Sequence, residues 1–457
     1  MVAPDANDAG IWLHVIASTD QPLHIADMNA QVPARGGKLV AAGRPLGIGS
    51  RWLARLWTGG VQRVLDRVDV GLCRGSILAT LPDGSTRLLG GRAVGFDAIV
   101  HLRSYWAMVR LATGGSVGWY QAWEAGEWTS PDPVPLFALF MDNAASLGGT
   151  ARASGPWRLA ARLLHRLRSN SRKGAARNIH LHYDLGNDFY VSWLGATMLY
   201  SSAIFDGRDD APSRHSQFFE ELDAAQSTKV MAIDQRLALT AGARVLEIGC
   251  GWGTLAAFLA EQHGAHVDAI SLSDEQLDYA RARWKPLQGT VDFRKQDYRD
   301  VTDTYDAIAS VEMVEAVGRE YWGTFLDTIA RNLRPDGRAA LQYISLSDDV
   351  FESYAHSADF IQTYIFPGGM LLKESEFRRL AQERGLSWQD HHAFGLDYAR
   401  TLEQWRQRFD RAVEEGRLPV GFDERFVRLW RYYLMYCEGG FRGGGIDVAQ
   451  VTLVKGA

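Results

Sequence analysis

The chain has 457 residues, 46% hydrophobic and 23% charged, which is ordinary for a globular protein and too long for one compact core. A net charge of −5, from 49 basic and 54 acidic residues, excludes a globally basic nucleic-acid binder. The three cysteines, Cys73, Cys250 and Cys437, make neither a disulfide framework nor a metal-ligand spacing and fit a reducing cytoplasm.

The opening stretch MVAPDANDAG has no basic n-region or apolar h-region, so no secretory leader is expected. Residues 1–50 are rich in Ala, Gly and Pro with weak periodicity and are assigned no structure. Residues 51–150 read as a small α+β domain. Ile77, Ala79 and Leu81 alternate into Pro82-Asp83-Gly84-Ser85, and Thr86–Leu89 returns, which predicts a hairpin. Ala98–Leu102 is a second apolar run, and a short helix Tyr105–Leu111 is stopped by Gly114-Gly115. The aromatic cluster Trp119-Tyr120, Trp123 and Trp128 follows, then an apolar helix over Val134–Met141.

Residues 151–177 form a linker with eight basic and no acidic side chains. Its first half spaces Leu159, Leu163, Leu164 and Leu167 as one helical face with arginines between, which suits a solvated interdomain helix or a helix lying on an anionic membrane. The average charge also conceals an asymmetry. Residues 1–183 carry 20 basic against 12 acidic side chains, and the remainder 29 against 42. One half is therefore suited to an anionic partner. The longest stretch without Asp, Glu, Lys or Arg, Phe189–Phe205, has 17 residues and is too short and polar to span a bilayer.

From about residue 220 helices and strands alternate. Helix Phe218–Leu239 leads to strand Arg244–Ile248, helix Thr254–His263, strand Val267–Ser271, helix Glu275–Trp284 and strand Val291–Arg294. Strand Asp306–Val311, helix Tyr321–Leu333, strand Arg338–Ile344, helix Glu374–Arg384 and strand Val448–Val454 complete the series. The alternation predicts an α/β fold with a parallel, doubly wound sheet.

The first strand feeds the turn Gly249-Cys250-Gly251-Trp252-Gly253, where glycines let the backbone approach a ligand at the carboxyl edge of the sheet. The G-x-G-x-G spacing differs from the dinucleotide fingerprint. Glu247 precedes the turn, placed to accept from a ligand amine or to orient the loop. The turn resembles motif I of the S-adenosylmethionine (SAM)-dependent methyltransferases. On that resemblance Asp297 and Tyr298, after the third strand, fit the adenine position. Ser271, Leu272 and Gln276 follow the second strand, with Gln276 standing where a ribose-binding acid is usual.

The segments His182–Tyr190 and Met198–Phe205 precede this core, and Glu312–Gly318, Phe360–Gly369 and Tyr436–Arg442 follow it. Together they resemble signatures of the cyclopropane-fatty-acyl-phospholipid synthase family, which includes the mycolic acid cyclopropane synthases. The resemblance runs from about residue 178 to the end, and more weakly over residues 75–145, similar to the family's N-terminal lipid-facing domain. It implies a Rossmann-like class I methyltransferase domain at 178–457, behind an N-terminal lipid-facing α+β domain. It further implies SAM as cofactor, held by residues that include Tyr200 and Ser201, and an unsaturated acyl chain of a phospholipid as substrate. The family's chemistry moves a methyl to a cis double bond and then removes a proton to close a cyclopropane.

Aromatic side chains able to steady a cation beside the chain are Tyr200, Phe205, Tyr364, Phe366 and Tyr398, each also suited to plain core packing. The family's proton acceptor is bicarbonate, and Glu315, the backbone at Ile344, Tyr398 and Cys437 match its surroundings. Ser202 stands where the family has cysteine, and Gln342 where it has histidine. Both can still hydrogen-bond, but the departures put bicarbonate, and with it ring closure, in question. The branch left open is a methyl-branched unsaturated chain. A small-molecule N-methyltransferase and a non-catalytic lipid binder are the competing classes. The expected partners are an anionic phospholipid surface and a second copy in a homodimer, with no nucleic acid and no metal. The expected location is cytoplasmic, peripheral to the inner face of the cell membrane.

Overall fold

The structure, a computed structural model, describes residues 35–41, 58–148, 185–205, 217–356 and 359–456. The basic linker at 151–177 and residues 182–184 lie outside the described residues. Part of the segment assigned no structure is helical. Gly37–Ala41 forms a short helix that buries Leu39 and Val40, and Arg35 just before it forks onto Asp188 at 2.8 and 2.5 Å.

The N-terminal unit holds helix α1 (Thr58–Gly71), strands β1 (Ser76–Thr80), β2 (Thr86–Gly90) and β3 (Asp97–Leu102), helix α2 (Trp106–Glu124), strand β4 (Trp128–Thr129) and helix α3 (Val134–Asp142). Its sheet has the order β2-β1-β3-β4, with β1 and β2 as the expected hairpin. The alternation of β3 is plain: Ala98, Val100 and Leu102 point inward and Asp97, Ile99 and His101 outward. Gly114-Gly115 does not stop α2, contrary to expectation. Gly115 takes φ 57° and ψ −136°, a kink, and the helix resumes because Trp119, Tyr120 and Ala122 beyond it are buried.

The larger unit contains helix α4 (Gln217–Leu237), strand β5 (Arg244–Ile248), helix α5 (Thr254–His263), strand β6 (His266–Ser271), helix α6 (Asp274–Arg283) and strands β7 (Val291–Lys295) and β8 (Tyr305–Val311). Helix α7 (Trp322–Asn332), strand β9 (Leu333–Leu346), helix α8 (Glu374–Gln382), strand β10 (Leu386–Ala393), helices α9 (Gly395–Glu414) and α10 (Glu424–Arg442) and strand β11 (Ile446–Lys455) follow. The seven strands are ordered β10-β11-β9-β8-β5-β6-β7. Six of the seven run in one direction and β11 alone is reversed, antiparallel to both β9 and β10, so the sheet is mixed rather than wholly parallel. The order reverses at β5, between β8 and β6, and a crevice at the strands' carboxyl ends is the usual ligand position there.

The two units share one core. Tyr120 of α2, Phe360 and Tyr432 of α10 contact one another with ring centroids 4.8–5.0 Å apart. Helix α10 crosses α3 almost backbone to backbone. A Cβ on Gly439 would fall 2.4 Å from Phe137 Cβ, and one on Gly443 would fall 2.5 Å from the Ala138 carbonyl. No described helix is long and apolar enough to cross a membrane.

Candidate active site

Strand β5 is buried throughout its last four residues, and its chain must then turn sharply into α5. Gly249, Gly251 and Gly253 make that turn at φ 85°, 52° and 83°. Any side chain at Gly249 would be driven against Met313, whose Cγ lies 2.7 Å from the Cβ position. This near-contact brings the segment after β8 beside the glycine turn.

A cavity of about 510 Å³ opens here, within the usual range for a small-molecule site. Gly249, Gly251, Ser271, Leu272, Gln276, Asp297 and Tyr298 line it from the carboxyl edge of the sheet, with Tyr200, Ser201 and Glu247. Leu111, Trp119, Phe137, Phe140, Met141 and Leu147 line it from the N-terminal unit. Glu315, Ile344, Tyr398 and Cys437 share the same wall. Gly253, Ser202 and Gln342 do not reach it: Gly253 starts α5, and the other two stand behind Glu312. Of the five aromatics weighed, Tyr200, Phe366 and Tyr398 line the cavity. Phe205 instead lies under the Arg400 guanidinium, and Tyr364 packs on Tyr120.

The polar lining falls into two groups. The first surrounds Glu247, which is 4% exposed. Its Oε2 is buried with no hydrogen-bond partner, and burial pushes its carboxyl up to about 8, against an Ala256 N–H bond and the charge of Lys229. Lys229 is itself buried, donates to Ser201 Oγ at 2.6 Å, and is pulled down to about 8 by burial, against the opposing charges of Glu312 and Glu247. Ser271 Oγ donates to Gln276 Oε1 at 3.4 Å and accepts from the Ser273 N–H at 3.2 Å. Asp297 is not the bare carboxylate expected. Arg299 binds it through Nε at 2.8 Å and Nη2 at 2.5 Å, so an exocyclic amine would share it with a guanidinium. Tyr200 and Tyr433 join hydroxyl to hydroxyl at 2.9 Å.

The second group centres on a residue the sequence reading passed over. Glu312 follows β8 at φ 48° and draws together three residues expected around an anion. Its Oε1 accepts from the Ser202 backbone N–H at 2.9 Å and from Gln342 Nε2 at 2.7 Å, and its Oε2 accepts from Tyr398 OH at 2.7 Å. The Ser202 hydroxyl donates elsewhere, to the Ala203 carbonyl. The fourth donor, Ile344 N–H, is taken by Glu315 Oε1 at 2.5 Å, while Glu315 Oε2 is buried without a partner. Burial, then the neighbouring Glu312 charge, push the Glu315 carboxyl up to about 8. Bicarbonate therefore does not fit this site. The Ser202 N–H, the Gln342 amide, Tyr398 OH and the Ile344 N–H already serve the carboxyl groups of Glu312 and Glu315, so they are not left to hold a third. Lys229 was also missed. The signal for Glu312 was present: two acids three residues apart directly after an apolar strand, at the edge where ligands bind.

Residues 170–451 match the family described as mycolic acid cyclopropane synthetase. The chain belongs to this family. It is 36% identical over 360 residues to the tuberculostearic acid methyltransferase of Mycobacterium tuberculosis, covering 76% of this chain and 80% of the relative. It is 37% identical over 277 residues to the cyclopropane-fatty-acyl-phospholipid synthase of Escherichia coli K12, covering 60% and 67%. Among solved structures, a cyclopropane synthase of Mycobacterium tuberculosis superposes with a TM-score of 0.54 at 26% identity, over 61% of this chain and 98% of that one. A mycolic acid cyclopropane synthase bound to S-adenosylhomocysteine (SAH) and CTAB superposes equally well, again with a TM-score of 0.54 and 26% identity. This family member is thus a SAM-dependent methyltransferase with the class I α/β fold. Its relatives are methyltransferases and cyclopropane synthases of fatty acids and other lipids. SAM fits the first polar group, where a buried, unpartnered Glu247 oxygen faces the demand of a cationic ligand beside a glycine cradle.

Proposed function

We propose that this enzyme methylates a carbon of the double bond in an unsaturated acyl chain of a membrane phospholipid, in the manner of a cyclopropane fatty acid synthase. The observation that carries the proposal is the cavity itself. One apolar wall from the N-terminal unit and one glycine-lined wall from the sheet enclose a single space, with Glu312 and Glu315 among the acidic residues on its surface.

Bound SAM supplies an electrophilic methyl group on a positively charged sulfur. Glu247, Gly249, Gly251, Ser271, Leu272, Gln276, Asp297 and Tyr298 would hold it, with Tyr200 and Ser201 closing over it. Leu111, Trp119 and Phe137 would exclude water from the alkyl chain, and the faces of Tyr200 and Phe366 would steady positive charge without attacking it. On the outer face of the N-terminal sheet, Leu88, Leu78 and Ile99 sit in register across three strands and are 60%, 45% and 45% exposed. Such a patch suits shallow contact with a phospholipid surface.

A methyl-branched unsaturated product is the second reading. It is favoured by Gln342 in place of a titratable imidazole, and by a relative matched over 76% of this chain being named a tuberculostearic acid methyltransferase. The test is incubation with unsaturated phospholipid vesicles and SAM carrying a labelled methyl, followed by mass spectrometry of the acyl chains. Label in a cyclopropane supports the first reading and label in a branched alkene the second. Label absent from acyl chains refutes both.

A further inference from the structure

Three donors that would suit a small bound anion are all spent on one side chain of the protein. Ser202 N–H, Gln342 Nε2–H and Tyr398 O–H come from three separate segments and converge on the Glu312 carboxylate. The orientation of Gln342 is fixed from behind. Its Oε1 accepts from Gln450 Nε2 at 3.0 Å, and Gln450 Oε1 accepts from Arg236 Nε at 3.0 Å. With its oxygen occupied, the amide can present only N–H toward Glu312, so the relay from Arg236 is set for a negatively charged acceptor.

The backbone has also been bent to bring the carboxylate here. A non-glycine residue at φ 48° is strained, and the strain is held by the Glu312 N–H bond to the Gln342 carbonyl at 2.8 Å. A carboxylate offers about four acceptor sites. Two are used on Oε1 and one on Oε2, which leaves one on an oxygen whose side chain lines the cavity.

We propose that Glu312 is the enzyme's own proton acceptor, seated where an external anion would otherwise be required, so that turnover is independent of bicarbonate. This rests on the acyl-chain reading above. Methyl transfer breaks the sulfur–methyl bond, whose electron pair stays on sulfur, and the alkene π pair forms the new carbon–carbon bond. The cationic chain then gives one proton to Glu312 Oε2. The electron pair of that C–H bond closes a cyclopropane if the proton leaves the new methyl, or makes a new double bond if it leaves the chain. The carboxylic acid so formed returns its proton to solvent before the next cycle, and no oxidant or reductant is needed.

Glu315 is the weaker choice for this role. It receives one donor against three, and stays protonated up to about 8. Burial also pushes Glu312 upward, opposed by the hydrogen bonds from Tyr398, Gln342 and Ser202 and the charge of Lys229, which makes it more basic than a surface carboxylate.

The test uses the full chain, SAM with a labelled methyl, and dioleoylphosphatidylglycerol vesicles in buffer stripped of carbon dioxide, with and without added bicarbonate. The wild-type rate is expected to be the same in both. Glu312→Gln keeps the shape and loses the basicity, and should slow turnover by about 100-fold or more while SAH binding by calorimetry is unchanged. Glu312→Gly relaxes the backbone and frees the three donors, so its activity should be low without bicarbonate and rise when it is added. A wild-type rate that collapses without bicarbonate, or a Glu312→Gln variant at full speed, overturns the proposal. In parallel, labelled bicarbonate is titrated by NMR onto the SAH complexes, where binding to Glu312→Gly and not to wild type is expected. Binding to wild type, or to neither, overturns the anion seat. If wild type transfers no methyl to the vesicles, the substrate reading fails instead, and the titration still decides what Glu312 occupies.

Discussion

Replacing Glu247 by glutamine should make the ligand-free protein more stable at alkaline pH while weakening its hold on SAM. The carboxyl is 4% exposed, and its acidity moves from the ordinary 4.5 to about 8. Because the folded-state value lies above the unfolded one, the stability it contributes is fully present below pH 4.5 and is lost as pH rises through 8. At about 1.36 kcal/mol for each tenfold change in proton affinity, ionising it in place costs about 5 kcal/mol as a ceiling. Water reaching the cavity lowers this to roughly 2–3 kcal/mol. Glutamine keeps the size and escapes the charge. Lys229, the opposing charge, does not disturb the comparison at the extremes. At pH 5 Glu247 is already neutral in the wild type, and at pH 9 Lys229 is mostly neutral in both proteins. Urea denaturation followed by tryptophan fluorescence should therefore find the two proteins level at pH 5 and the variant ahead by about 2–3 kcal/mol at pH 9. Calorimetry should find that wild-type SAM affinity rises with pH toward 8, as the ionised carboxylate meets a cation, and that the variant has lost this rise. A stability gap of the same size at both pH values would refute the reasoning.

Gly249→Ala combines φ 85° with a Cβ 2.7 Å from Met313, and should weaken SAM binding by about 100-fold in calorimetry, with circular dichroism unchanged. Arg408 is 6% exposed and pairs with Asp223 at 3.4 Å and the Leu194 carbonyl at 3.2 Å. Arg408→Met strands the half-buried Asp223 carboxylate and should lower stability by about 2–3 kcal/mol in urea titrations. Leu111→Trp adds bulk to the N-terminal wall, so KM for vesicle lipid should rise several-fold while SAH affinity stays put. Equal loss of both would show that the wall does not serve the chain alone.

Much of the fold was legible because local signals agreed with it. Strand β5, its glycine turn and α5 follow from an apolar run, three glycines and a helical face, with no competing pattern. Helix α9 is equally readable from Tyr398, Leu402, Trp405 and Phe409 at helical spacing. The kink in α2 was not readable. Gly114-Gly115 looks like a stop, and only the burial of Trp119 on Trp128 and of Tyr120 against distant Phe360 and Tyr432 carries the helix on. The site divides the same way. Ser202, Gln342 and Tyr398 do lie together, yet sequence cannot show that they converge on the side chain of Glu312. That depended on the φ of Glu312 and on which way Gln342 faces, both set by tertiary hydrogen bonds.

If the substrate is the acyl chain proposed above, the crossing of α10 over α3 has a consequence for how its length would be sensed. With Gly439 and Gly443 pressed to the backbone of α3, the two helices interlock too closely for a side chain at either position. Phe137 and Met141 on α3 and Cys437 on α10 are therefore fixed marks on one gauge, read outward from the carboxylates after β8. A longer acyl chain cannot be met by sliding the two units apart. It must be met by exchanging side chains on α3, which makes this helix the place where chain-length preference is free to vary while the chemistry stays still.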